Sequence, residues 1–117
     1  MRRHFRLRKP RDFSRVYEGG VSTASRMVVV YVLPSQRDGV RVGVAAGKKL
    51  GNAVKRNRIK RVIRAALQQL LPGLRPGYDI IVIGRTAAGA AKTLQVKADL
   101  VRALVRLRLY RSEAGHG

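Results

Sequence analysis

Apolar residues along this chain recur in two rhythms, one of helices and one of strands. In RKPRDFSRVYEGG, Phe13, Val16 and Tyr17 fall at i, i+3 and i+4, so they share one side of a short helix. Pro10 suits its first turn, and Gly19 and Gly20 stop it. MVVVYVLP, residues 27–34, is a β-branched run closed by proline and reads as a strand. After the turn SQRDG, VRVGVAAG alternates: Val40, Val42 and Val44 face one way, Arg41 and Gly43 the other. This period of two predicts a strand, antiparallel to the one before it. Residues 47–51 form a loop. A long helix follows over about 52–71, with Asn52 as its N-cap and Pro72 and Gly73 at its end. GYDIIVIG, residues 77–84, is nearly all apolar and reads as an interior strand. RTAAGAAK is a small-residue loop. TLQVKADLVRALVRLRLY is the last helix, with Leu100, Leu104 and Leu107 at helical spacing. The closing residues 111–117 are expected to fray. The order α-β-β-α-β-α, without internal repeat or linker, predicts one domain over 1–117. Its class is α+β, an α/β sandwich with a small sheet packed by helices.

Charge adds a constraint that the pattern does not. Twenty-six lysines and arginines face six acids, for a formal charge of +20. The acids are Asp12, Glu18, Asp38, Asp79, Asp99 and Glu113; none lies between Asp38 and Asp79, where ten basic residues do. Self-repulsion of this size disfavours the compact state unless a partner neutralises it. A merely soluble surface would mix both signs. A strongly basic small domain points to nucleic acid. The 19 arginines against 7 lysines favour bidentate phosphate contacts and stacking on bases. With 45 % apolar residues the chain is not a disordered basic tail. No run of 18 apolar residues occurs, so no membrane partner is expected. MRRHFRLRKPRDF lacks the apolar core of a secretory signal. Cysteine is absent, which excludes disulfides and thiol chemistry. A cytoplasmic protein is expected.

Three kinds of chemistry can be tested on this background. GVAAGKK resembles a phosphate loop, but three residues rather than four separate Gly43 from Gly47, and Lys49 stands where Ser or Thr is needed. Nucleotide binding is discarded on that ground, and no small-molecule substrate is expected. General acid–base or two-metal chemistry needs grouped carboxylates. Here the acids are scattered, Asp38 reading as a turn residue and Asp79 as the start of a strand. His4 and His116 lie near opposite termini. No catalytic residue and no metal ligand is therefore assigned.

The basic helix is different. At about 100° per residue, Ile59, Val62, Ile63, Ala66 and Leu70 share one face. Arg56, Asn57, Lys60, Arg61 and Arg64 spread over the other, with Arg58 towards a flank. Arg56, Lys60 and Arg64 stand at i, i+4 spacing, where each like-charge pair costs about 0.2–0.5 kcal/mol. Phosphates would offset that cost through counterion release. Asn52 sits where first-turn N–H groups also bind phosphate. Phe13, Tyr17 and Tyr31 would line one groove if the first helix packs beside the sheet, as in aromatic platforms for single-stranded RNA. Core packing is the alternative for each ring.

The string KKLGNAVKRNRIKRVIR, residues 48–64, closely resembles the signature of the bacterial ribonuclease P protein subunit, with Arg56-Asn57-Arg58 as its hallmark. DFSRVYEGG, RMVVVYVLP, RVGVAAGKK and YDIIVIGR extend the resemblance in order over about residues 5–108. The resemblance implies a fold like the second domain of ribosomal protein S5, with a left-handed β-α-β crossover through the basic helix. That hand departs from a rule obeyed in about 98 % of such connections. It implies a catalytic RNA subunit as partner, and magnesium-dependent removal of the 5′ leader from precursor tRNA. Mg2+ would act through that RNA, which would carry the chemistry. It implies RNA contacts at Arg56, Asn57, Arg58, Lys60, Arg61 and Arg64, with Lys48 and Lys49 at the entrance, and Asn52 joins them from its place at the helix start. It also implies a leader cleft at Phe13, Tyr17, Tyr31 and Val28, where valine replaces an aromatic common in the family. The rivals are a structural, ribosomal-type RNA-binding protein of the same fold and a self-sufficient nuclease.

Overall fold

The β-branched run becomes the second of four strands in one mixed sheet. The computed structural model describes residues 5–111. In chain order they form α1 (Pro10–Gly19), β1 (Val21–Ala24), β2 (Val28–Pro34), β3 (Val40–Ala46), α2 (Ala53–Leu70), β4 (Tyr78–Gly84) and α3 (Thr93–Arg106). Single 3-10 turns lie at Lys48–Leu50, Leu71–Gly73 and Thr86–Ala88. The sheet order is β1-β2-β4-β3. The α+β class read from the sequence is the one observed. No helix among the described residues is long and apolar enough to cross a membrane.

The pairing of β3 is a correction. It does not form a hairpin with β2; β4 lies between them, antiparallel to β2 and parallel to β3. β4 has apolar side chains on both faces, so the centre of the sheet buries the most surface. β3 alternates Val with Arg41 and Gly43, which suits an edge. α2 is the crossover between the parallel neighbours β3 and β4. The hairpin that does form joins β1 to β2, with Val21 opposite Val32 and Ala24 opposite Val29. β1 was not predicted: VSTA is short, largely exposed and without apolar alternation.

One sheet face holds the main core. Val28, Val30, Val32, Val42, Ile80 and Val82 pack against Ile59, Ile63, Ala66, Leu67 and Leu70 of α2. Val96, Leu100, Ala103 and Leu104 of α3 complete it. Each such Leu or Ile contributes about 1.5–3 kcal/mol when fully buried. The wheel of α2 holds, with Val62 half-buried at its margin and Leu67 added to the buried set. α3 ends earlier than predicted. Arg108 takes the left-handed region at φ 62°, and the Leu109 N–H donates to the Leu104 carbonyl. That reversal returns Leu109 to the core and sets Tyr110 beside Leu74. Positions 112–117 of the expected frayed tail lie outside the described residues.

Candidate nucleic-acid interface

The other sheet face is covered at one end only, by α1. Cross-strand pairs place Val29, Tyr31, Ile81, Ile83, Gly43 and Ala45 on it. Val16 is fully buried there with Ile81 and Leu7. Phe13 and Tyr17, one turn apart on α1, meet Tyr31 from β2. The Phe13 and Tyr17 ring centroids are 6.3 Å apart, and Tyr17 meets Tyr31 edge-on at 5.0 Å and 87°. Such pairs contribute about 0.5–1.5 kcal/mol beyond their buried area. Tyr17 remains 38 % exposed, so the cluster is a wall of the surface and not sealed core. Burial, and then the neighbouring Tyr31, raises the Tyr17 hydroxyl above its ordinary pKa, keeping it a hydrogen-bond donor. The three rings expected to share a groove are therefore brought together.

Val28 does not join them. It is fully buried in the main core, three positions from Tyr31 and hence on the opposite face of β2. Its assignment to the cleft is corrected for that reason. Val29, half-buried and paired with Ile83, is the β2 position that continues the aromatic face.

A buried carboxylate holds α1 in place. Asp79 is 0 % exposed and accepts from Arg15 of α1 at 2.5 Å and from Arg41 of β3 at 2.8 and 3.0 Å. Asp12 of α1 lies 3.7 Å from the same Arg41. Burial alone would raise the Asp79 pKa. The hydrogen bonds from Arg41 and Arg15 outweigh it and hold the carboxyl below its ordinary value. Reading Asp79 as only the start of a strand missed this role. The available signal was a lone acid inside an otherwise apolar strand, which demands a cationic partner when buried. Asp99, also buried, does the same for the β1–β2 turn: its Oδ2 accepts from the Met27 N–H at 2.8 Å.

The basic helix is entered through a tight turn. Gly51 takes φ 119°, a left-handed conformation that favours glycine. The Asn52 Oδ1 then accepts from the Lys55 N–H at 3.0 Å, so Asn52 caps the helix as its side chain predicted. Lys48 and Lys49 are exposed on the 3-10 turn before it, and Asn57 and Arg61 are exposed on α2. Arg56, Lys60 and Arg64 are half-buried at their stems. Among the described residues every salt bridge uses Arg15, Arg41 or Arg102, and none reaches α2. The Arg56 Nε is buried without a partner among the described residues.

Arg58 behaves differently from its neighbours. Its guanidinium donates to the Gly89 carbonyl at 2.8 Å and the Ala91 carbonyl at 3.2 Å. It ties α2 to the loop that leads into α3. Of the Arg56-Asn57-Arg58 triplet, Asn57 is exposed, Arg56 is half-buried and Arg58 fastens the helix to the protein.

This arrangement is that of a polyanion-binding protein: an unneutralised basic helix on one side of a small sheet and an aromatic wall on the other. The comparisons give the class a family. A family model described as Ribonuclease P matches residues 1–108. The ribonuclease P protein component of Shouchella clausii is 40 % identical over 110 residues, covering 93 % of this chain and 90 % of that protein. The one from Lactobacillus johnsonii is 42 % identical over 115 residues, covering 97 % and 94 %. The solved RNase P protein of Staphylococcus aureus superposes with a TM-score of 0.81 at 39 % identity, covering 92 % of this chain and 98 % of that one. That of Thermotoga maritima gives 0.75 at 29 % identity, covering 83 % and 92 %. The chain belongs to the ribonuclease P protein family. Membership makes it the protein component of a ribonuclease that serves tRNA 5′ processing.

Proposed function

We propose that this chain binds the catalytic RNA of ribonuclease P through α2 and lays the 5′ leader of precursor tRNA along the aromatic sheet face. The observation that carries this reading is the basic face of α2, whose Arg56, Lys60, Arg61 and Arg64 have no acid partner among the described residues. Each phosphate they neutralise releases condensed counterions, and that release drives assembly. Single-stranded RNA is gripped where bases stack on aromatic rings beside a basic groove. Phe13, Tyr17 and Tyr31 provide such rings.

The protein's part is electrostatic and positional. Asp12, Asp79 and Asp99 are each paired with an arginine, which keeps them from serving as a free general base. Among the described residues no three His, Asp or Glu side chains group together. Hydrolysis of the leader is assigned to the RNA and the Mg2+ it holds. The cationic surface lowers the amount of Mg2+ needed to fold and dock that RNA. The test is 5′ processing of precursor tRNA by the RNA subunit at low Mg2+, with and without the protein. Stimulation is expected, and its absence would sink the reading. A cytoplasmic location belongs to the same proposal, supported by the RNA partner and precursor tRNA that it assigns.

A further inference from the structure

α2 and the aromatic wall lie on opposite faces of the sheet, so a continuous RNA contact must pass around an edge. β1 closes one edge and β3 the other. At the β3 edge the chain before α1 runs alongside, with the Leu7 N–H donating to the Val42 carbonyl at 2.8 Å and Arg6 bridged to Val42. Leu7 is 4 % exposed and anchors this segment, leaving Arg6 and Arg8 on either side of it at the surface. There a cavity of about 200 Å3 opens, lined by Arg6, Arg8, Arg64, Phe13 and Gly43 among others. At about 30 Å3 per water, it has room for a tetrahedral oxyanion with part of its hydration.

Three guanidiniums therefore line one cavity from two separate elements. None of the three side chains makes a hydrogen bond or ion pair with any described residue, whereas Arg15 and Arg41 nearby are both held by Asp79. Burial, and then the charge of Arg6, pushes the Arg64 guanidinium below its ordinary pKa. An anion bound between them would relieve that repulsion. Arginine's planar fork matches phosphate oxygens in pairs.

We propose that this cavity is a phosphate seat, in which Arg6, Arg8 and Arg64 hold one backbone phosphate of an RNA strand crossing the β3 edge. Phe13 forms its inner wall and also begins the aromatic cluster, so a phosphate held here sets the next base against the rings. The seat rests on the RNA-binding reading above and adds two residues, Arg6 and Arg8, that the basic helix does not contain. It also assigns Arg64 to the junction between the two faces.

The test uses the full chain and two probes. Inorganic phosphate is titrated at constant ionic strength while the arginine side-chain Nε–Hε resonances are followed by NMR. Arg6, Arg8 and Arg64 are expected to shift together and saturate, while Arg75 and Arg111 stay. A uniform, unsaturating drift of every arginine would overturn the seat. Arg8→Gln, at an exposed position, and Arg64→Gln are each expected to weaken phosphate at least tenfold; unchanged affinity in Arg8→Gln would also overturn it. A short single-stranded oligonucleotide is then expected to displace the phosphate at a concentration at least tenfold lower. Failure to displace it would mark a seat for free phosphate and overturn the RNA assignment. Neither probe involves the catalytic RNA, so a protein that fails to assemble with that RNA can still show the seat, and the reverse.

Discussion

The tip of the Phe13 ring occupies the space where a side chain on Gly43 would begin. A Cβ built on Gly43 would stand 2.5 Å from the Phe13 Cζ. The missing side chain on β3 is what lets the ring of α1 rest on the sheet. Gly43→Ala is expected to push the ring outward and cost about 1–3 kcal/mol by overpacking. In the leader reading, it also weakens precursor tRNA more than mature tRNA. Thermal unfolding and paired binding titrations check both effects. Phe13→Ala is expected to show the same bias between the two RNAs; an equal loss for both would remove the leader from this face.

Arg58 and Arg61 are expected to separate in their salt dependence. Arg61 is exposed and forms no salt bridge among the described residues, so Arg61→Ala should remove about one phosphate contact, lowering the slope of log affinity against log salt by about 0.7–0.9. Arg56→Ala should act alike, with activity lost mainly at low Mg2+ and high salt. Arg58→Ala instead breaks two charge-assisted bonds to the carbonyls of Gly89 and Ala91. It is expected to lower stability by about 1–3 kcal/mol and leave the salt slope as it was. A reduced slope in Arg58→Ala would mean that its guanidinium also reaches RNA.

Asp79 shares the acid limb of stability with Asp99, the other buried carboxylate held below its ordinary pKa. The Asp79 pKa lies below the ordinary 3.8 in the folded protein. A depressed carboxylate pKa contributes stability that is fully present above the unfolded value and is lost as pH falls through the folded one. Stability should therefore decline below about pH 4. Asp79→Asn is expected to flatten that decline and to cost about 3–5 kcal/mol at neutral pH, because Arg41 loses its buried partner. Denaturant unfolding of both proteins between pH 2 and 7, on the order of the carboxylate range, measures the difference.

Val28 and Val29 offer a test of which side of β2 meets RNA. Val28→Phe should overpack the core, at about 1–3 kcal/mol, and add nothing to leader affinity. Val29→Tyr places a ring beside Tyr31 on the open face, and is expected to keep the fold and tighten single-stranded RNA. A gain from Val28→Phe with no gain from Val29→Tyr would reverse the assignment.

Much of the interface could be read along the chain. The i, i+3, i+4 spacing put Phe13, Val16 and Tyr17 on one side of α1. The wheel of α2 separated Ile59, Ile63 and Ala66 from the basic face, and Asn52 marked the start. These features depend on residues within a turn or two of one another, where helix geometry and capping leave few alternatives. The same reasoning failed for β3, whose alternation showed a strand but not its neighbour. It failed for Val28, because the face a strand residue occupies depends on register with β4. Arg58 looked like the basic residues around it until the carbonyls of a distant loop were seen beneath it.

By itself, then, the sequence determined the elements, their apolar and basic faces, the excess of positive charge and the motif that marks the family. Each of these is a local or summed property of side chains. Only the tertiary structure decided that β4 enters between β2 and β3, that Asp79 clamps α1 through Arg15 and Arg41, and that Arg6, Arg8 and Arg64 line one cavity. Those outcomes depend on which distant backbones exchange hydrogen bonds and which charges are left unpaired once the sheet has closed. No spacing along the chain encodes that, because the free energy of pairing belongs to surfaces that meet only after folding.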